Sequence, residues 1–97
     1  MRNVHLIAYD IADPKRLRRV HKTMKGHGTP LQYSVFRCEL SPIELHKLKE
    51  ILWPILNFAE DRIMLVDLGP TGGRGDDCIE FWGEPHTKPE PHAAIII

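Results

Sequence analysis

Apolar positions recur along the chain with two periods, and the switch between them marks the elements. Val4 to Tyr9 (VHLIAY) is a short run with a β-branched and aromatic bias that ends at Asp10 and the turn-prone Asp13-Pro14, which predicts a first strand. Leu17, Val20 and Met24 then recur at helical spacing behind an Asp13 cap. Pro14 sits at the first helical position, where its missing N–H has no partner to lose. This helix is expected to stop at Gly26-His27-Gly28, because glycine accepts the left-handed backbone of a helix end. Leu31 to Leu40 alternates as extended chain, with Gln32, Ser34, Phe36, Cys38 and Leu40 on one side and Leu31, Tyr33, Val35, Arg37 and Glu39 on the other. Ser41-Pro42-Ile43-Glu44 is a capping box, and Leu45, Leu48, Ile51, Leu52 and Ile55 form the stripe of a second helix that Pro54 should kink or end early. Arg62 to Leu68 reads as a buried-type strand closed by Gly69-Pro70, and Cys78 to Trp82 as a last short strand.

Two helices set between strands in so short a chain predict an α+β sandwich, with both helices on one face of a mostly antiparallel sheet. The ferredoxin-like β-α-β-β-α-β order fits if residues 31–40 bend into two strands, although no Gly or Asn marks a turn there. At 97 residues the chain has room for one core, so residues 1–82 are read as one domain and 83–97 as a tail with three Pro and an apolar end, Ala93 to Ile97. Dimerisation would enlarge that core. A hydrophobic content of 42% with zero net charge excludes a disordered chain, and no apolar run approaches the roughly 18 residues of a membrane span. Met1-Arg2-Asn3 leads straight into the first strand without a signal region, and Cys38 and Cys78 form no metal or disulfide pattern. Both thiols are expected to pack in a reducing cytoplasm.

The zero net charge conceals a segregation. Residues 1–49 carry ten Lys and Arg against four acids, a net +6, and the remainder carries −6. Six of the cations (Lys15, Arg16, Arg18, Arg19, Lys22, Lys25) fall in the first helix, dense enough for a phosphate-facing surface and equally compatible with a solvated helix face. The Gly-rich loop 69–75 lacks the GK[ST] ending of a P-loop and reads as a connection, and the six His show no ligand spacing. What remains is Tyr9-Asp10 at the carboxyl end of the first strand. A carboxylate there can hold Mg²⁺ while the basic helix clamps a phosphodiester, and a twofold dimer would double the single acid; the plainer reading makes Asp10 a turn former.

From Tyr9 to Phe36 the chain resembles the small CRISPR-associated endonuclease family, the second core CRISPR-associated protein. The matching residues are Tyr9-Asp10-Ile11, Asp13, Arg16, Arg19-Val20-His21-Lys22, Gly28 and Gln32-Tyr33-Ser34-Val35-Phe36, and the elements that follow fit the family to Leu68. The resemblance implies a ferredoxin-like protomer, a homodimer and a last strand pairing with the partner's sheet, placing Phe36, Cys78, Ile79, Phe81 and Trp82 at the dimer interface. It implies that Asp10 binds Mg²⁺ at the dimer cleft beside Tyr9, and that Arg16, Arg19 and Ser34 line the phosphate path. It further implies an endonuclease acting on single-stranded RNA or duplex DNA during spacer acquisition. In the alternative, the dimer is a non-catalytic adaptor that lays Lys15, Arg19, Lys22 and Lys25 on duplex backbone and bridges CRISPR-associated integrase dimers, with the apolar tail on the integrase. Two positions depart from the family pattern: Pro30 stands where a basic residue is usual, and Arg37 where an acid is frequent. Arg37 would offset Pro30 if it points to the same side.

Overall fold

The computed structural model describes residues 1–83. Four strands and two helices follow one another as β1 (Asn3–Asp10), α1 (Pro14–Lys25), β2 (Thr29–Gln32), β3 (Val35–Leu40), α2 (Pro42–Leu52) and β4 (Arg62–Pro70), with a 3-10 turn at Asp76–Cys78. The strands form one antiparallel sheet in the order β2-β3-β1-β4, the ferredoxin-like arrangement. Residues 31–40 do bend into two strands, and the turn is made by Tyr33 and Ser34 between the paired Gln32 and Val35. The ladder slips by one residue at Leu31, a bulge that supplies the curvature usually left to glycine.

Local chemistry accounts for both helices. The Asp13 carboxylate accepts the Arg16 N–H at 2.9 Å to cap α1, and Val20 and Met24 turn into the core. In α2 the Ser41 hydroxyl accepts the Glu44 N–H at 3.1 Å while the Glu44 carboxylate accepts the Ser41 N–H at 2.9 Å, the reciprocal capping box. Pro54 has no N–H with which to continue the ladder, and the helix closes at Leu52. The predicted stripe of α2 is narrower than expected: Leu48, Leu52 and the following Ile55 are buried, but Ile51 is 45% exposed because it lies on the flank away from the sheet.

Strand alternation divides the sheet into two unlike faces. Ile7, Tyr9, Phe36, Cys38 and Leu40 meet Val20 and Met24 from α1 and Leu48, Leu52 and Ile55 from α2 in one core. On the opposite face stand Val4, Leu6, Ala8 and Asp10 of β1, with Val35 and Arg37 of β3 and Met64 and Val66 of β4 in register beside them. No helix covers this second face. Part of it lies under the loop after β4, where Gly75 is close enough to Val4 that a β-carbon on it would stand 3.2 Å from the valine side chain.

Three expectations are corrected here. The strand Arg62–Leu68 is not of the buried type: it is an edge strand with a neighbour on one side only, and Met64 (58%) and Leu65 are exposed. Cys78 is exposed instead of packed, whereas Cys38 is buried, and both thiols are free. Cys78 to Trp82 forms no strand within the protomer, since Cys78 closes the 3-10 turn and residues 79–82 have no ladder partner among the described residues. The apolar segment Ala93 to Ile97, and with it most of the tail, lies outside the described residues.

Candidate nucleic-acid interface

Asp10 is the last residue of β1, and its side chain leaves the sheet on the uncovered face opposite Arg62 of β4. It is exposed, and its carboxylate takes no hydrogen bond or ion pair among the described residues. Tyr9, one residue earlier, points the other way into the core. Its ring stacks on Phe36 with centroids 6.1 Å apart, and its hydroxyl lies 2.7 Å from His21 Nδ1 on α1. Burial pushes the phenol up to about 12, with the Ser34 side chain pulling it partly back, so Tyr9 is an uncharged phenol at neutral pH and not a base. Phe36 is fully buried among these rings, with His21 edge-on at 5.5 Å. The expectation that Phe36 meets a partner subunit is therefore corrected: its ring is enclosed by its own protomer.

The six cations of α1 separate into two sets. Arg16 is tied inward, its Nε donating to Asp61 at 2.8 Å and its Nη2 to Glu60 at 3.0 Å. Lys15, Arg18, Arg19, Lys22 and Lys25 are exposed and have no ion pair among the described residues, so they are the cations available to phosphate. Arg37 is also occupied, donating to Asp76 at 2.8 Å and Glu39 at 2.8 Å. Pro30 pairs with Phe36 and shares its face, while Arg37 projects to the opposite face. Arg37 therefore does not replace the cation missing at Pro30.

The sequence reading missed Asp61, the buried anchor of this end of the molecule. Its side chain is fully enclosed and accepts from the Ala12 N–H at 2.9 Å, the Asn57 N–H at 2.9 Å and the Arg16 guanidinium. The Arg16 hydrogen bond holds its carboxyl far below the ordinary range, with the two backbone donors assisting. By gripping Ala12 it fixes the turn between Asp10 and α1. No local signal reveals it, because its partners lie four, 45 and 49 residues away.

Gly28, part of the matched pattern, has a steric reason. A β-carbon there would overlap Cys38 Sγ and stand 2.6 Å from the Arg37 carbonyl oxygen, so only glycine lets the end of α1 approach β3 this closely. Beside it, between α1 and the Tyr33-Ser34 turn, opens a groove of about 620 Å³. Ile79 is half-buried, and Phe81 and Trp82 (87%) are exposed at the end of the described chain, open to a partner's sheet.

These features define a small ferredoxin-like α+β protein that presents unpaired helix cations and, on an uncovered sheet face, a solitary unpaired acid. Residues 2–72 match the family model of the CRISPR associated protein Cas2, and the chain belongs to that family. The CRISPR-associated endoribonuclease Cas2 of Geobacter sulfurreducens is 43% identical over 70 residues, covering 72% of this chain and 74% of that protein. A second relative with the same family name, from Rhodospirillum rubrum, is 39% identical over 94 residues, covering 97% and 91%. Among solved structures, Cas2 of Streptococcus pyogenes superposes with a TM-score of 0.72 at 32% identity over 82% of this chain and 99% of that one. A hypothetical protein from Thermus thermophilus, at 23% identity and a TM-score of 0.76, shares the fold over 88% of this chain and 95% of that one.

Proposed function

We propose that two copies of this chain join across the uncovered sheet face and act as a Mg²⁺-dependent endonuclease on single-stranded RNA or duplex DNA in CRISPR-based antiviral defence. The observation that carries the reading is the Asp10 carboxylate, exposed and unpaired at a strand end on the face where a second copy can seat. The endoribonuclease names of the relatives support it.

The donor set fits a metal as a half-site. No cluster of three or more His, Cys, Asp or Glu that would hold an ion occurs among the described residues, so one protomer offers a single hard oxygen donor. Two Asp10 carboxylates across a twofold axis leave the remaining positions to water and phosphate oxygens, which suits Mg²⁺ because it gives up its waters reluctantly. When bound, Mg²⁺ would supply an activated water and neutralise charge building on the phosphate. The chain's own residues do the rest. Asp61, through Ala12 and Arg16, holds the turn that aims Asp10. Lys15 and Arg19 attract the backbone as exposed, unpaired cations, and uncharged Tyr9 packs behind the acid without exchanging a proton.

The test is cleavage of end-labelled single-stranded RNA and duplex DNA, with Mg²⁺ and with chelator, by wild type and Asp10→Ala purified identically. Wild type is expected to cut only with metal, and Asp10→Ala not to cut while melting at the wild-type temperature, since the carboxylate has no described partner to lose. Equal cutting by both, or by neither, refutes the nuclease reading and leaves the adaptor that bridges integrase dimers.

A further inference from the structure

The groove between α1 and the Tyr33-Ser34 turn lies on the helix side of β1, so strand alternation separates it from Asp10 even though Tyr9 forms its floor. We propose that this groove is a separate subsite for one unpaired nucleobase of a single strand, with the flanking phosphates on the cations of its rim. The proposal rests on the reading of the chain as a nucleic-acid-engaging protein and adds to it a preference for unpaired bases.

Three observations carry it. The floor is apolar and large enough for a base: Tyr9 and Leu17 supply it within a volume of about 620 Å³. The rim is cationic. Arg18, Lys22 and Lys25 follow one another along α1 at intervals of about 6 and 4.5 Å of helix rise, all exposed and none ion-paired among the described residues. The stretch PKRLRRVHKTMK has no acid, so the edge repels cationic ligands and attracts a chain of phosphates. Finally, Tyr33 stands at the turn, 63% exposed, and offers an aromatic face at the mouth. A base has a π-face of the same size, and stacking on such a platform tolerates any base. A paired base is already stacked within its duplex and cannot enter, so the groove distinguishes single strands from duplex without reading sequence.

Binding is measured with chelator present, which removes cleavage, and in both the wild-type and Asp10→Ala backgrounds. The probes are a fluorescein-labelled single-stranded oligouridylate, an abasic strand with the same number of phosphates, and a duplex of equal length. Tyr33→Ala is expected to weaken oligouridylate binding roughly tenfold, the loss of one base-aromatic stack, and to leave the abasic strand and the duplex unchanged. Tyr33→Trp should keep the affinity, and Lys22→Glu should weaken all three probes. If Tyr33→Ala weakens all three equally, or none, the subsite is refuted. The nuclease reading fails separately, through cleavage that survives Asp10→Ala, because the binding result needs neither metal nor Asp10. Displacement of the oligouridylate by an acidic peptide but not by free uridine monophosphate would also overturn the proposal, in favour of a protein ligand.

Discussion

Replacing Tyr9 with Phe removes one oxygen and keeps the ring, which isolates what the hydroxyl does. In the structure that oxygen lies 2.7 Å from His21 Nδ1 and also engages Ser34, while the ring rests on Phe36 and the residue is buried. A net hydrogen bond is worth about 1 kcal/mol, and a fully buried orphan would add its desolvation cost. His21 is half-exposed and can turn to water, so the loss should stay near about 1–2 kcal/mol. For a domain of this size that lowers the melting temperature by roughly 5–15 °C, at about 4–8 °C per kcal/mol. The assay is thermal unfolding by circular dichroism of Tyr9→Phe, His21→Leu and the double variant. Their cycle should return a coupling of about 1 kcal/mol, since both single variants break the same bond. Cleavage well below the melting temperature should be unchanged, because the hydroxyl points away from Asp10 and is uncharged. An unchanged melting temperature with zero coupling would refute the structural role, and lost cleavage with intact stability would move the hydroxyl into the chemistry.

Arg16→Ala should lower the melting temperature at neutral pH by stranding the enclosed Asp61 carboxylate. The sign follows from the depressed carboxyl: its contribution is present above the unfolded value of 3.8 and is lost as pH falls through the still lower folded value, so the deficit should shrink below about pH 4 in a pH series of melts. Gly28→Ala should cost about 1–3 kcal/mol by forcing α1 away from the Arg37 carbonyl and Cys38, read as a lower denaturant midpoint at constant slope. Met64→Asp places a charge on the uncovered face without disturbing the protomer core, and sedimentation should show a dimer becoming a folded monomer.

The parts of the fold that a few neighbouring residues determine were legible from sequence. Asp13-Pro14 and Ser41-Pro42-Ile43-Glu44 carry their capping chemistry within four residues, and both helix starts fall where those residues put them. The bend at Tyr33-Ser34 carried no signal, because a bulge at Leu31 does the work of a turn glycine. The exposure of β4 and of Ile51 was hidden for another reason: the apolar pattern records that a surface will be covered, and not whether the chain itself or a second copy covers it. At the candidate site, Asp10 could be picked out because it ends a clear strand. The commitment of Arg16 to Asp61 and of Arg37 to Asp76 could not, since pairs 45 and 39 residues apart leave no periodic trace.

The loop that lays Gly75 on Val4 and ties Asp76 to Arg37 occupies one end of the uncovered face. A second copy seated there meets a raised step at the Val4 end and open ground around Ala8, Val35 and Met64 toward Asp10. The loop thus works as a gauge block: its thickness sets how far along the sheet a twofold axis can lie, and so how far apart two Asp10 carboxylates come to rest. Lengthening or trimming residues 71–75 would retune that spacing while leaving every residue of the site in place.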